Sequence, residues 1–181
     1  MGLCFVTGGV RSGKSAFAET LCERGRGEVV YLATCDPTDE EMKARIANHR
    51  LRRPTHWEVK EEAHFLADAI AGIPAVKTIL LDSVTAWVSN RLERWACESG
   101  QGIDGQQTAI ERIAEEAEAW LTLIKTRNAV VVTDEVGLGG VAMHPVTRQF
   151  QDALGTVNQM VAKRADEVWL VVSGIPWKVK G

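Results

Sequence analysis

The chain has 181 residues and a mass of 19.8 kDa, which fits one globular domain and leaves little room for a second. Hydrophobic residues make up 45% and charged residues 25%, a balance that excludes a disordered, collagen-like or coiled-coil chain. The net charge of -3 provides no basic field for nucleic acid, and no apolar run is long enough to span a bilayer. We therefore expect a single domain over residues 1–181, with no nucleic-acid partner and no membrane span.

The N-terminus and the cysteines predict the cellular compartment of the protein. The apolar start of the sequence lacks the basic segment that opens a secretory signal. Cys4, Cys22, Cys35 and Cys97 are scattered, without a C-x-x-C pair or a matching histidine spacing, so a structural zinc site is not expected. Unpaired cysteines are typical of a reducing compartment, and we expect a cytoplasmic protein.

Short apolar runs alternate with longer helical patterns in the first half of the chain. The predicted elements are a strand over 3–7, a helix over 15–24, a strand over 29–34 and a helix over 38–53. The last of these helices opens with a capping box, Thr38 followed three residues later by Glu41. Pro54 supplies its end.

The same alternation continues in the second half. The predicted elements are a strand over 78–81, a helix over 108–126, a strand over 129–133, a helix over 145–165 and a strand over 168–172. Several strands are apolar at every position, as expected when helices cover both faces of a sheet. The pattern predicts a three-layer α/β fold with a mostly parallel sheet. Residues 98–107 are rich in Gly and Gln and are predicted to form a mobile loop.

A phosphate-binding motif follows the first predicted strand directly. The segment GGVRSGKS fits G-x-x-x-x-G-K-[ST], with a strand before it and a helix after it. A chance glycine-rich turn would not be expected in this context. The residues of the motif are Gly8, Gly9, Val10, Arg11, Ser12, Gly13, Lys14 and Ser15.

Each part of this motif has a chemical purpose. Glycines let successive backbone N–H groups turn toward phosphate oxygens, and the following helix adds its positive end. Lys14 can reach the outer phosphates, and the Ser15 hydroxyl can ligate Mg²⁺. The motif predicts nucleotide binding but does not separate kinase, ATPase and GTPase. The N-K-x-D guanine-reading motif of a GTPase switch is not matched at 162–166, which disfavours that class.

Carboxylates follow two of the later strands. Asp82 comes after the strand over 78–81, and Glu135 lies in the run Val132-Thr133-Asp134-Glu135 after the strand over 129–133. The carboxyl ends of parallel strands face the ligand in folds of this kind. Asp82 is our first candidate for positioning metal or nucleotide, and Glu135 the second. The ordinary alternative is an exposed acid that opens a loop.

A histidine stands within a basic helical segment. Arg45 precedes His49 by four residues, and Arg52 and Arg53 follow it by three and four, so these side chains share one helical face. The ordinary interpretation is a solvated basic face with an incidental histidine. The alternative is a nucleophile, because neutral imidazole can attack phosphorus and guanidinium groups can hold the phosphates. The pattern alone favours the first interpretation and leaves the second open.

These segments together resemble one family over nearly the whole chain. The resemblance rests on six segments, in this order: LCFVTGGVRSGKS, VVYLAT, M-x-x-R-I-x-x-H-R, RPTHW, TDEVGLG and ADEVWLVVSGIP. They look like the bifunctional adenosylcobinamide kinase / adenosylcobinamide-phosphate guanylyltransferase of cobalamin biosynthesis. The phosphate loop alone is generic, whereas its combination with VSGIP and the His49 segment is specific.

The resemblance implies a RecA-like P-loop NTPase fold and two reactions in sequence. A nucleoside triphosphate first phosphorylates the hydroxyl on the aminopropanol arm of adenosylcobinamide. GMP is then transferred from GTP through a GMP–histidine intermediate, which gives adenosylcobinamide-GDP and pyrophosphate. The implied cofactor is Mg²⁺, the implied nucleotide substrates are GTP and ATP, and the implied assembly is a cytoplasmic homotrimer.

The resemblance also assigns roles to residues by their position. His49 becomes the guanylylated nucleophile, and Gly8 to Ser15 becomes the phosphate loop for GTP. With the motif chemistry given above, Lys14 is the second catalytic candidate, and Ser15 and Asp82 are the candidate metal ligands. The implied nucleotide contacts are the residues of the phosphate loop together with Thr34, Arg50, Leu51, Arg52, Arg53, Glu61 and Asp82.

Two other functions remain open from the residues. One is a monofunctional P-loop kinase for a small molecule, in which the basic helix only covers the phosphates. The other is a nucleotide-dependent regulatory or assembly ATPase with a protein partner.

Overall fold

The structure, a computed structural model, describes residues 2–25, 27–36, 54–99 and 103–181. Of residues 98, 99 and 103–107 it describes the backbone alone. The helix predicted over 38–53 lies outside the described residues. The same holds for the predicted site residues His49, Arg50, Leu51, Arg52 and Arg53.

Strands and helices alternate along the described chain. The strands are β1 (Leu3–Gly8), β2 (Val29–Ala33), β3 (Glu58–Glu61), β4 (Thr78–Asp82), β5 (Ala129–Asp134), β6 (Glu167–Val172) and β7 (Ile175–Lys180). The helices are α1 (Lys14–Arg24), α2 (Leu66–Ala71), α3 (Val84–Ser99), α4 (Ile103–Ile124) and α5 (Pro145–Arg164), with one 3₁₀ turn at Gly137–Gly139.

The strands form one seven-stranded sheet in the order β3-β2-β4-β5-β1-β6-β7. Every neighbouring pair is parallel except β6 and β7, which are antiparallel. This confirms the predicted mostly parallel sheet of a P-loop fold. Because six strands point the same way, the phosphate loop and the loops after β2, β4 and β5 meet at one edge, where such sheets bind ligands.

Helices cover both faces of the sheet, which confirms the three predicted layers. Side chains from α2, α3, α4 and α5 pack on one face, whereas α1 packs on the other. Consecutive residues of one strand contribute to opposite cores: Phe5 packs with the four helices, and Cys4 and Val6 pack with α1. The uninterrupted apolar strands follow from this arrangement, since neither face is exposed to water. Trp87 and Trp120 meet edge to face in the larger core, with ring centroids 5.9 Å apart.

Several predictions from the sequence need correction. The prediction of a loop over 98–107 is wrong for residues 98, 99 and 103–107, which the structure describes. Helix α3 continues to Ser99, and α4 already begins at Ile103. Glutamine is a good helix former, so its presence there did not indicate a loop. Strand β3 was missed because its sequence EVKE has no apolar pattern. Strand β7 was missed because it contains Pro176, which an edge strand tolerates.

The core arrangement predicts how stability responds to truncation. Leu81 is fully buried in β4, an interior strand of the sheet, whereas Val76 is 85% exposed. We expect Leu81→Ala to lower the free energy of unfolding by about 2–5 kcal/mol, since it leaves a cavity. The control Val76→Ala is expected to change it by less than about 0.5 kcal/mol. Urea unfolding measures both, and equal effects would contradict the assigned core.

Candidate nucleotide site

The phosphate loop is tightly curled at the end of β1. A Cβ atom on Gly8 would lie 2.4 Å from the Val171 carbonyl oxygen and 2.7 Å from Ser12 Oγ, so only glycine fits. Gly13 has a φ of 94°, in the left-handed region that glycine adopts without strain. The N–H of Ser12 donates to the Gly9 carbonyl at 3.1 Å and closes the turn. These positions therefore require the glycines that the motif supplies.

Helix α1 begins at the loop and directs its positive end toward it. The residue that precedes the helix is Gly13, which makes no side-chain cap, so the amides of the first turn are not capped by a side chain. Ser12 Oγ is buried and has no hydrogen-bond partner among the described residues. An oxygen of a bound phosphate would satisfy such a group, which makes the loop a suitable anion site.

Lys14 and Asp134 bring opposite charges together at this loop. Lys14 Nζ lies 2.5 Å from Asp134 Oδ1, and the two side chains are 12% and 18% exposed. Lys14 Nζ also donates to the Gly9 carbonyl at 3.4 Å. The pairing of β1 with β5 places Asp134 beside Gly8, which explains why the carboxylate reaches the lysine.

Asp134 is the carboxylate that sequence reasoning missed. Glu135, one residue later in the run Val132-Thr133-Asp134-Glu135, is the candidate that the sequence analysis names. In the structure its Oε1 accepts the Gly137 amide at 2.8 Å, and its own amide donates to the Gly8 carbonyl at 3.1 Å. The strand extends one residue further than predicted, through Asp134, and this extension decides which carboxylate meets Lys14.

Buried and half-buried polar side chains hold the end of β5 in place. Thr85 Oγ1 accepts the Asp134 amide at 2.7 Å, and Asn158 Nδ2 donates to the Asp134 carbonyl at 3.1 Å. Thr133 Oγ1 donates to Asn158 Oδ1 at 2.9 Å and lies 3.3 Å from Thr85 Oγ1. Helices α3 and α5 therefore fix the backbone from which the Asp134 carboxylate projects.

Asp82 lies at the same edge of the sheet, two strands away from β1. One carboxylate oxygen, Oδ2, accepts the Tyr31 hydroxyl at 2.6 Å. Thr34, another predicted nucleotide contact, is fully buried. Its hydroxyl donates to the Ser83 carbonyl at 2.6 Å and lies 2.7 Å from the Ser83 amide. Thr34 thus joins the ends of β2 and β4.

Glu61 is further from the loop than the other predicted contacts. It ends β3, the edge strand, and three strands separate β3 from β1. At a spacing of about 4.8 Å between strands, Glu61 lies about 19 Å across the sheet from the phosphate loop. The structure therefore brings together the loop and Asp134, places Asp82 beside them, and leaves Glu61 at the far side.

A cavity of about 200 Å³ opens between the end of β2 and helix α3. Burial by itself raises the pKa of Glu62 beside it, but the amides of Phe65 and His64 donate to Glu62 Oε1 and lower that pKa below its usual value. Asn90 connects the cavity to the predicted contact Thr34, whose carbonyl accepts Asn90 Nδ2 at 2.8 Å. The cavity is lined by Asp36, His64, Asn90, Glu93, Arg94 and Cys97.

The oxygen groups near the loop suit a magnesium ion that is shared with a nucleotide. Among the described residues, no group of three or more His, Cys, Asp or Glu side chains could hold a metal ion. Mg²⁺ commonly takes one or two protein oxygens and completes its shell with phosphates and water. The Ser15 hydroxyl at the start of α1 and the carboxylates of Asp82 and Asp134 at the ends of β4 and β5 are oxygen donors of the kind that Mg²⁺ takes.

Comparison with known proteins identifies the family. The family model described as cobinamide kinase / cobinamide phosphate guanyltransferase matches residues 4–179. The chain belongs to this family. The bifunctional adenosylcobalamin biosynthesis protein CobU of Escherichia coli strain K12 is 40% identical, over 98% of this chain and 99% of that protein. The corresponding protein CobP of Pseudomonas aeruginosa is 35% identical, over 97% and 96%.

Membership in the cobinamide kinase / cobinamide phosphate guanyltransferase family confirms the predicted class of enzyme, a kinase and guanylyltransferase of cobalamin biosynthesis that uses nucleotides. Among solved structures, the RadB recombinase aligns with a TM-score of 0.47 and 16% identity, over 93% of this chain and 73% of that one. Within the described residues, no helix is long and apolar enough to cross a membrane.

The polar network beneath Asp134 predicts a specific loss of stability. Asn158→Leu removes the partner of the Asp134 carbonyl and one of the two partners of the Thr133 hydroxyl while filling a similar volume. We expect the free energy of unfolding to fall by about 1–3 kcal/mol, because buried polar groups are left unpaired. The exposed neighbour provides a control, Gln159→Leu, with an expected change below about 0.5 kcal/mol. Urea unfolding of both variants measures these changes. An Asn158→Leu variant as stable as the wild type would show that the network does not contribute to the free energy of unfolding.

Proposed function

We propose that this chain phosphorylates adenosylcobinamide on the hydroxyl of its aminopropanol arm and then transfers GMP from GTP to the new phosphate. The products of the second step are adenosylcobinamide-GDP and pyrophosphate. The observation that carries the proposal is the formed phosphate loop, with Lys14 and Asp134 in contact, in a chain that matches its family over residues 4–179. The alternative functions lack a specific observation in their favour.

The kinase step depends on charge and position around the outer phosphates. The loop amides and the start of α1 hold phosphate oxygens, and the Lys14 ammonium binds the β- and γ-phosphates in competition with Asp134. The acceptor oxygen attacks the γ-phosphorus, the bond from that phosphorus to the β-phosphate oxygen breaks, and the hydroxyl proton leaves to solvent. Little further chemistry is required, because phosphoryl transfer relies mainly on alignment and on fixed positive charge.

Ser15 and Asp82 are the proposed magnesium ligands, and Asp134 is a third oxygen donor nearby. When bound, the ion neutralises phosphate charge that develops in the transition state. Asp82 keeps one oxygen engaged with the Tyr31 hydroxyl, which orients the carboxylate. Thr34 and Glu61 are retained as proposed nucleotide contacts on the resemblance alone.

The guanylyl transfer is assigned to His49. Its neutral imidazole attacks the α-phosphorus of GTP, an N–P bond forms, and the bond to the leaving pyrophosphate breaks. The phosphate of the acceptor then attacks the same phosphorus and releases the imidazole. Arg50, Arg52 and Arg53 follow His49 in the sequence and match the charge of the triphosphate, with Leu51 between them. The support for this step is the residue pattern and the family resemblance.

The resemblance also supports the setting of the reaction. We propose that three copies of the chain assemble, that GTP or ATP serves the kinase step, and that the enzyme works in the cytoplasm. The adenosylated corrinoid and its phosphate are the proposed small-molecule partners.

Incubation with α-labelled GTP tests the covalent step. We expect acid-labile, alkali-stable label on the wild type and none on His49→Ala, because only an imidazole at that position forms the phosphoramidate. The matched control is His56→Ala, seven residues later and exposed, which should retain the label. Label that survives in His49→Ala would remove that residue from the mechanism.

The same assay separates the alternative functions. Phosphorylation of adenosylcobinamide without any covalent label on the wild type would indicate a monofunctional kinase. Nucleotide hydrolysis that a macromolecule stimulates and that corrinoids do not affect would indicate a regulatory ATPase.

A further inference from the structure

Four large apolar side chains are exposed together after β5. Leu138 is 83% exposed, Val141 84%, Met143 91% and Val146 75%. Single exposed apolar residues are normal on a protein surface, whereas contiguous exposed apolar patches mark interaction or ligand-binding sites, and these four residues lie within nine consecutive positions. We call these four side chains the apolar platform.

The backbone that carries the apolar platform is firmly held. Gln151 Nε2 donates to the Gly140 carbonyl at 3.0 Å, and Gln151 Oε1 accepts the Ala142 amide at 3.0 Å. Arg148 donates to the carbonyls of Met143 and Ala142 at 2.7 and 3.1 Å. Since both anchoring side chains belong to α5, the helix fixes the segment from beneath. The apolar side chains are therefore displayed by an ordered backbone.

The apolar platform borders the phosphate loop. Leu138 follows four residues after Asp134, which contacts Lys14, and the intervening Glu135 amide donates to the Gly8 carbonyl at 3.1 Å. Val10, within the loop itself, is 76% exposed and adds an apolar side chain on the same edge of the sheet. A molecule seated on the platform thus lies next to the outer phosphates, where a phosphoryl acceptor must be.

The charge of the surrounding segment restricts what can bind there. Between Glu135 and Arg148 the sequence has no Asp, Glu, Lys or Arg. Its one titratable side chain is the exposed His144, so a nucleotide or a strongly charged peptide would find little ionic attraction on this segment. The corrin ring of adenosylcobinamide carries methyl groups and neutral amide arms, which match an uncharged apolar surface with exposed glycine backbone.

We infer that the apolar platform of Leu138, Val141, Met143 and Val146 is the binding site for the corrin macrocycle of the acceptor. This inference rests on the proposed function and adds the location of its large substrate. The platform holds the ring so that the hydroxyl of the aminopropanol arm reaches the γ-phosphate above Lys14. Nucleotide binding does not involve the platform.

A double variant, Leu138→Ser with Met143→Ser, tests the inference. We expect the Kd for adenosylcobinamide, measured by tryptophan fluorescence quenching, and its KM in the kinase reaction to rise by about tenfold or more. The Kd for GTP should stay within about twofold of the wild-type value, since the loop is untouched. The control is Val76→Ser, equally exposed and at the opposite edge of the sheet, which should leave all these values unchanged.

The outcomes separate the inference from the function on which it rests. If the wild type phosphorylates adenosylcobinamide and the double variant binds it equally well, the inference fails and the proposed function stands. If the wild type neither binds nor phosphorylates adenosylcobinamide, the proposed function fails, and the inference with it. If light scattering shows that the double variant loses the wild-type assembly, the platform is a contact between copies of the chain, which also overturns the inference.

Discussion

The contact between Lys14 and Asp134 is the interaction on which the rest of the site depends. It joins the phosphate loop to the end of β5 across the parallel pair β1–β5, where Asp134 lies beside Gly8. Gly8 is also in contact with β6 on its other side, where a Cβ atom would lie 2.4 Å from the Val171 carbonyl oxygen, so the loop can begin here only with a glycine. The contact holds the Lys14 ammonium beside the curled loop of amides, and in the proposed reaction the outer phosphates replace the Asp134 carboxylate as its partner.

The surrounding structure serves to keep this contact in place. Thr85 and Asn158 reach the backbone of Asp134 from helices on one face of the sheet, while Gly174 donates its amide to the Ser12 carbonyl at 2.7 Å from the β6–β7 turn. The loop and the carboxylate are therefore fixed from different directions. An ordered segment then continues from β5 into the apolar platform, so the nucleotide and the proposed acceptor surface share one rigid support.

The sequence predicted the parts of this fold that local patterns determine. Strand β1, the phosphate loop and α1 follow from an apolar run, a glycine motif and helical spacing, because these features dictate backbone geometry by themselves. Strand β3 and the helical backbone of 103–107 could not be predicted in this way, since polar and glutamine-rich segments take their structure from neighbours. The choice of Asp134 over Glu135 depended on the register between β1 and β5, which no local pattern contains. The burial of Thr34 against Ser83 is likewise a tertiary contact.

The most direct test of this account is a crystal structure of the protein with a non-hydrolysable GTP analogue. The account predicts that Gly8–Ser15 wraps the β- and γ-phosphates and that Lys14 Nζ contacts their oxygens. It also predicts that the γ-phosphate faces the segment that begins after Asp134. An analogue bound elsewhere on the chain, with the Lys14–Asp134 contact intact and the loop amides turned away from phosphate, would contradict it.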